Sequence, residues 1–211
     1  MLSTTGIATR SYFSLDTDDA VDLIQELDEE DREEVILNIE DMEQAGDIVD
    51  LLQYDEDTAG GLMGTELIKV NENLSMPDCL KEMRHQAEDL DDIYNVYVVD
   101  DDGRLKGVLP LKKMITHPSV SRIKHVMETD PVSVKADMPI EDVAIDFEKY
   151  DLVAMPVVDS IGRLVGQITV RGIKKASAVT AASWDSNPPR ITEFTRPPMM
   201  PIRSHGNRAF V

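Results

Sequence analysis

Asp18 and Asp22 stand four residues apart in Thr17-Asp18-Asp19-Ala20-Val21-Asp22, where the apolar residues recur at helical spacing. Four residues is about one turn of an α-helix, so the two carboxylates share a face, with Asp19 beside them. Oxygen ligands gathered in this way suit a hard divalent cation, one that takes one or two carboxylates and keeps several of its waters. The pattern is equally that of ordinary first-turn acids on a solvated helix, favoured there by the helix dipole.

Few other residues carry chemistry. The four histidines, His85, His117, His125 and His205, form no i, i+4 pair with a glutamate between them, so zinc catalysis lacks its spacing. No Gly-x-Ser-x-Gly and no phosphate-cradling Gly-Lys-Ser/Thr is present, and the chain is not expected to be an enzyme. The formal charge of −20 is unevenly spread. From Arg171 onward seven Lys/Arg face two Asp/Glu, whereas the first 170 residues hold 14 basic against 39 acidic. Such an acidic excess argues against nucleic acid and fits a solvated or cation-binding surface. The one cysteine, Cys79, excludes a disulfide framework and reads as a core residue. With no apolar run near the roughly 18 residues of a membrane span, and no signal-peptide pattern, a soluble protein is expected.

The elements that must position the acids fall into two kinds. Over 17–53 three apolar stripes predict three short helices: Ala20, Val21, Leu23, Ile24 and Leu27; Val35, Ile36 and Ile39; Ala45, Ile48, Val49 and Leu52. Thr17 and Asp28 are candidate N-caps, and Gly60-Gly61 is expected to end the helical region. A duplication follows. Val98-Val99-Asp100-Asp101-Asp102-Gly103-Arg104-Leu105-Lys106-Gly107 returns 59 residues later as Val157-Val158-Asp159-Ser160-Ile161-Gly162-Arg163-Leu164-Val165-Gly166, identical at seven of ten positions. Upstream, Met63-Gly64-Thr65-Glu66 matches Met127-Glu128-Thr129-Asp130, so the first copy holds five extra residues, placed between Asp78 and Asp100. Each copy predicts strand, helix, strand, strand, helix. The first helix of copy one should start near Ser75 and bury Met76, Cys79, Leu80 and Met83; that of copy two should bury Ile140, Val143, Ala144 and Phe147. The expected fold class is α+β, divided into a lead-in (1–15), a helical domain (16–61), two βαββα modules (62–126 and 127–173) and an irregular, proline-rich tail (174–211).

This duplicated unit, with its Val-Val-Asp…Gly-Arg-Leu-x-Gly hairpin, resembles a tandem pair of CBS domains. Tyr54-Asp55-Glu56-Asp57-Thr58-Ala59-Gly60-Gly61-Leu62-Met63, and Ile93-Tyr94-Asn95-Val96-Tyr97-Val98-Val99-Asp100 with the hairpin after it, look like the MgtE family of magnesium transporters over roughly 16–171. The resemblance implies a partial N domain and a CBS pair on the cytoplasmic side of a membrane. It implies a homodimer through the CBS modules, and Mg²⁺ as the ion that closes a pore whose transmembrane part is absent here. It places Asp18 and Asp22 at the family's N-domain metal site, and Asp151 at another family acid that faces the connecting helix. Where the family continues Thr-Val-Asp-Asp-x-x-Asp, this chain reads Thr169-Val170-Arg171-Gly172-Ile173-Lys174-Lys175, so the following helix should contribute no acids.

The expectation is thus a Mg²⁺-sensing regulatory domain. The alternatives are an adenine-nucleotide-binding CBS module and a ligand-free dimerisation module. Nucleotide binding is the runner-up, with little support from its site residues. The positions that resemble the family's ribose-binding acids are Lys113 and Gly172, whose side chains accept no hydrogen bond.

Overall fold

The computed structural model describes residues 16–39, 41–90, 92–118 and 120–176. The lead-in 1–15 and most of the tail, 177–211, lie outside them. Helices α1 (Thr17–Gln25), α2 (Glu29–Leu37) and α3 (Met42–Leu51) form the expected helical region. Asp28 caps α2, its carboxylate accepting from the Asp31 N–H, and Asp41 caps α3 in the same way. Thr17 does not cap α1. Asp16 holds that position and Thr17 is the first helical residue, its hydroxyl drawn instead to Thr65 and Glu66, 48 and 49 residues on.

The apolar stripes bury Ala20, Val21, Ile24, Val35, Ile39 and Ile48 as expected. Leu23 and Val49 are over 40% exposed, and Leu51 is buried instead, because the stripe facing the core is narrower than the run of apolar residues. Gly60-Gly61 does not close the helical region. Both glycines lie inside a one-turn helix, α4 (Ala59–Leu62), that Thr58 caps. Their lack of a side chain is a packing requirement: a Cβ on Gly60 would strike the Tyr54 ring, and one on Gly61 the Asp55 carbonyl.

The first βαββα unit contains β1 (Ile68–Asn71), α5 (Met76–Gln86), β2 (Val96–Val99), β3 (Leu105–Val108) and α6 (Leu111–Thr116). Ser75 caps α5, with proline in the first turn. Met76, Cys79 and Met83 are buried, whereas Leu80 turns outward. A 3₁₀ turn, Ala87–Asp89, falls where the first copy is longer. The second unit holds β5 (Val134–Lys135), α7 (Ile140–Tyr150), β6 (Ala154–Val158) and β7 (Leu164–Thr169). A final helix covers 170–176. It therefore extends past the expected boundary at 173, with Ile173 buried as its anchor.

The two sheets repeat one topology, a parallel pair followed by an antiparallel hairpin. Asp100 and Asp159 each accept backbone N–H bonds from residues two and four positions on, at 2.8–3.0 Å. Gly103 and Gly162 supply the positive φ, 79° and 84°, that these turns require. The turns also meet, Leu105 donating to the Gly162 carbonyl and Leu164 to that of Gly103.

Each unit sends its entry segment to the other's sheet. β4 (Glu128–Thr129), which opens the second copy, pairs with β3 of the first. Gly64, which opens the first copy, exchanges two 2.9 Å backbone bonds with Gln167 on β7 of the second. One hydrophobic core runs from α1–α3 into the second unit, through residues such as Ile24, Ala59, Met63 and Met155. A separate core fills the first unit.

Candidate cation site

The start of α1 is fastened to the entry segment of the first unit through Thr17. Its backbone N–H donates to Glu66 Oε1 (2.7 Å), its hydroxyl to Glu66 Oε2 (3.1 Å), and it accepts from the Thr65 N–H (3.0 Å). Gln167 buttresses this segment from the opposite side. It donates to the Glu66 carbonyl and accepts from the phenol of Tyr97, itself fully buried between the units.

A cavity of about 130 Å³ opens here, with Asp16, Asp18, Glu66 and Asp92 among its walls, beside Tyr94 and Arg171. Asp16, Asp18 and Asp19 each place a carboxylate oxygen within 4.8 Å of the others. Burial, with the charge of Asp19 second, pushes the Asp18 carboxyl up to about 6. Burial likewise raises Glu66, against the hydrogen bonds from Thr17. Carboxylates held charged against that tendency favour a cation beside them. The donors are hard oxygens, and the acids on α1 and Glu66 come from different parts of the chain. This set fits Mg²⁺ bound through one or two carboxylates and its own waters.

Two protein cations already engage the acids at the start of α1. Lys175 Nζ donates to Asp19 and to Asp22 Oδ2 (2.7 Å). Arg171 reaches Asp19 Oδ2 (3.3 Å) and Asp16 Oδ2 (3.8 Å). Burial draws the Lys175 ammonium down, but its bonds to the two aspartates outweigh this and hold it well above the usual lysine value.

Asp18 thus faces the cavity, while Asp22, one turn on, is turned to Lys175. Asp151 sits elsewhere. It ends α7 in the left-handed conformation, φ 50°, with its N–H on the Phe147 carbonyl, and is exposed. Among the described residues the group of mutually close carboxylates includes neither Asp22 nor Asp151. Asp16, Glu66, Asp92, Arg171 and Lys175 are participants that the sequence did not mark out as site residues. Only the last two left a signal, as basic residues where the family pattern has acids.

At the two positions considered for nucleotide, Lys113 pairs with Glu128 (3.3 Å) and the Gly172 N–H donates to Thr169 Oγ1 (3.2 Å). Among the described residues no helix is long and apolar enough to cross a membrane.

The CBS domain model matches residues 59–119 and 123–179, and that of the MgtE intracellular N domain matches 8–57. The magnesium transporter MgtE of Thermus thermophilus is 38% identical over 155 residues, which is 72% of this chain and 34% of that protein. The magnesium transporter MgtE of Enterococcus faecalis is 35% identical over 62% of this chain and 29% of its own. The chain therefore spans about a third of the length of these two relatives. Among solved structures, the cytosolic domain of the Mg²⁺ channel MgtE in complex with ATP shares 34% identity, with a TM-score of 0.73. That match covers 80% of this chain and 68% of the solved one. The soluble part of a magnesium transporter gives 32% identity and a TM-score of 0.75, over 82% and 68%.

Proposed function

This chain belongs to the MgtE family of magnesium transporters, with an MgtE N domain ahead of tandem CBS domains, and from that premise we propose that it is a Mg²⁺-responsive regulatory unit. The observation that carries this reading is the cavity where α1 meets the CBS pair, walled by Asp16, Asp18, Glu66 and Asp92. In low cation these carboxylates repel one another across the junction between the helical domain and the CBS pair. Mg²⁺ and its waters bridge them and favour the closed arrangement. An ion at about 100 times its dissociation constant for the closed state alone shifts the balance by roughly 2.7 kcal/mol, enough for a switch with a small gap. The unit is not an enzyme on this reading. It gates a pore domain carried elsewhere in the transporter, from the cytoplasmic side of the membrane.

We further propose a homodimer through the CBS modules. α6 buries none of its residues within the chain and leaves Leu111 and Ile115 more than half exposed, as a partner-facing helix would. Adenine nucleotide in the CBS cleft is the second reading, favoured by the 34% identical relative solved with ATP. Against it, Lys113 is already paired with Glu128, and neither Lys113 nor Gly172 has a side chain that accepts a ribose hydroxyl. Titrating MgCl₂ and ATP separately while following the thermal midpoint decides between them. A rise with MgCl₂ alone supports the cation sensor, and a rise with ATP alone replaces it by the nucleotide module.

A further inference from the structure

We propose that Lys175, assisted by Arg171, is a built-in cation that holds α1 against the CBS pair when no divalent ion is present. The inference deepens the cation-sensing reading and rests on it for the competition with Mg²⁺, though not for the clamp itself.

The geometry is specific. Lys175 lies on the helix that follows β7, and its single ammonium bridges two carboxylates one turn apart on α1, Asp19 and Asp22. Arg171, one turn before Lys175, reaches back to Asp19 and to Asp16 at the N-cap. Two basic residues at i and i+4 are therefore matched against three acids on the facing helix end. No other salt bridge among the described residues joins the helical domain to the CBS pair.

A tethered ammonium does part of what a bridging divalent ion does: it removes repulsion among acids on the approaching surface. It does so at a fixed effective concentration, whatever the ion level around it. The clamp should therefore leave the junction largely closed without Mg²⁺ and reduce the amplitude of any Mg²⁺ response. Each contact is partly exposed, so its strength should fall with salt.

Hydrogen exchange on the full chain tests this at low ionic strength in EDTA. The amides of 17–25 are compared in the wild type, Lys175→Met, Lys175→Arg, Asp22→Asn and the Lys175→Met/Asp22→Asn double variant. Lys175→Met should quicken exchange by roughly threefold to tenfold. Lys175→Arg should restore most of the protection, and the double variant should exceed the larger single effect by little. Raising NaCl to about 0.5 M should shrink the gap between wild type and Lys175→Met. Equal exchange in wild type and Lys175→Met in EDTA, or fully additive effects in the double variant, overturns the clamp. Adding MgCl₂ separates the two ideas: recovery of protection in Lys175→Met supports the competition. If MgCl₂ moves neither protein while the EDTA difference stands, the cation sensor fails and the clamp is retained.

Discussion

The Lys175 ammonium lies 2.7 Å from Asp22 Oδ2, although 153 residues separate the two in the chain. The contact closes the gap between the first helix of the N domain and the last described helix of the CBS pair. It puts a protein cation on one of the two α1 aspartates that the sequence marked for a metal. The acids on α1 therefore divide between two duties: Asp19 and Asp22 are engaged by basic side chains, and Asp18 faces the cavity.

Asp18 gives a pH-dependent prediction. Its folded pKa of about 6 stands above the ordinary 3.8, through burial and then the neighbouring Asp19, with Glu66 and Asp16 adding to it. A carboxyl raised in the fold binds its proton more tightly there than in the unfolded chain. The charged form therefore costs stability, fully so above pH 6, and the cost vanishes as pH falls through 6 to below 4. In EDTA, Asp18→Asn should raise the thermal midpoint at pH 7.5 by a few degrees, about 1–2 kcal/mol after allowing for solvent screening. Scans at pH 7.5, 6 and 4 should show that advantage shrink stepwise.

Gly107 and Gly166 end the two copies of the repeated hairpin and do the same work in each. A Cβ on Gly107 would meet the Glu128 carbonyl and Met127 Sδ; one on Gly166 would meet Met63 Sδ (2.7 Å) and the Gly64 carbonyl (2.9 Å). Each glycine leaves room for the entry segment of the other CBS module. Gly107→Ala and Gly166→Ala should each lower stability by about 1–3 kcal/mol in urea unfolding. Gly103→Ala would act differently, through its positive φ alone, since nothing lies within 4 Å of a Cβ there.

Tyr97→Phe removes the phenol that donates to Gln167 across the junction of the two CBS modules. Both groups are buried, so the amide oxygen of Gln167 would lose its phenol partner at a site with little solvent exposure. The expected cost is about 1–2 kcal/mol in urea unfolding.

Asp151 was marked for metal binding on family resemblance, and it ends α7 in a left-handed turn. Asp151→Gly should then leave stability unchanged or raise it by up to about 1 kcal/mol, because glycine adopts that conformation without strain. We expect the Mg²⁺ titration of this variant to overlay that of the wild type. A weakened titration would instead return Asp151 to the metal site.

Much of the architecture was legible because repetition constrains it. The shared Val-Val-Asp and Gly-Arg-Leu positions gave both hairpins, and the structure shows the reason: the Asp carboxylate and the positive-φ glycine build the turn. The helices of the N domain were equally plain from their apolar spacing. Three things were hidden. Gly60-Gly61 looked like a helix end, but it is the approach of the Tyr54 ring that excludes a side chain at Gly60. Thr17 had a cap's identity and sequence position, yet a long-range partner, Glu66, claims its hydroxyl. The exchange of entry segments between modules is non-local and leaves no mark in either repeat by itself.

The site was legible only in half. Carboxylates four residues apart announce a shared face, but Asp18 lines the cavity while Asp22 is drawn to Lys175. Glu66 and Asp92 reach the same cavity through the folding of the CBS pair, and no periodicity relates them to α1. Arg171 and Lys175 were visible as departures from the family's acids. Their sign alone did not show that they would land on Asp19 and Asp22.

A divalent ion should tighten the junction of α1 with the CBS pair. The measurement is hydrogen exchange of residues 17–25 and 64–66 across a MgCl₂ titration into the millimolar range, in wild type and Asp18→Asn. Saturable protection of both segments in the wild type, lost or strongly weakened in Asp18→Asn, is the predicted result. Exchange in the wild type that stays the same from EDTA to saturating MgCl₂ would contradict it.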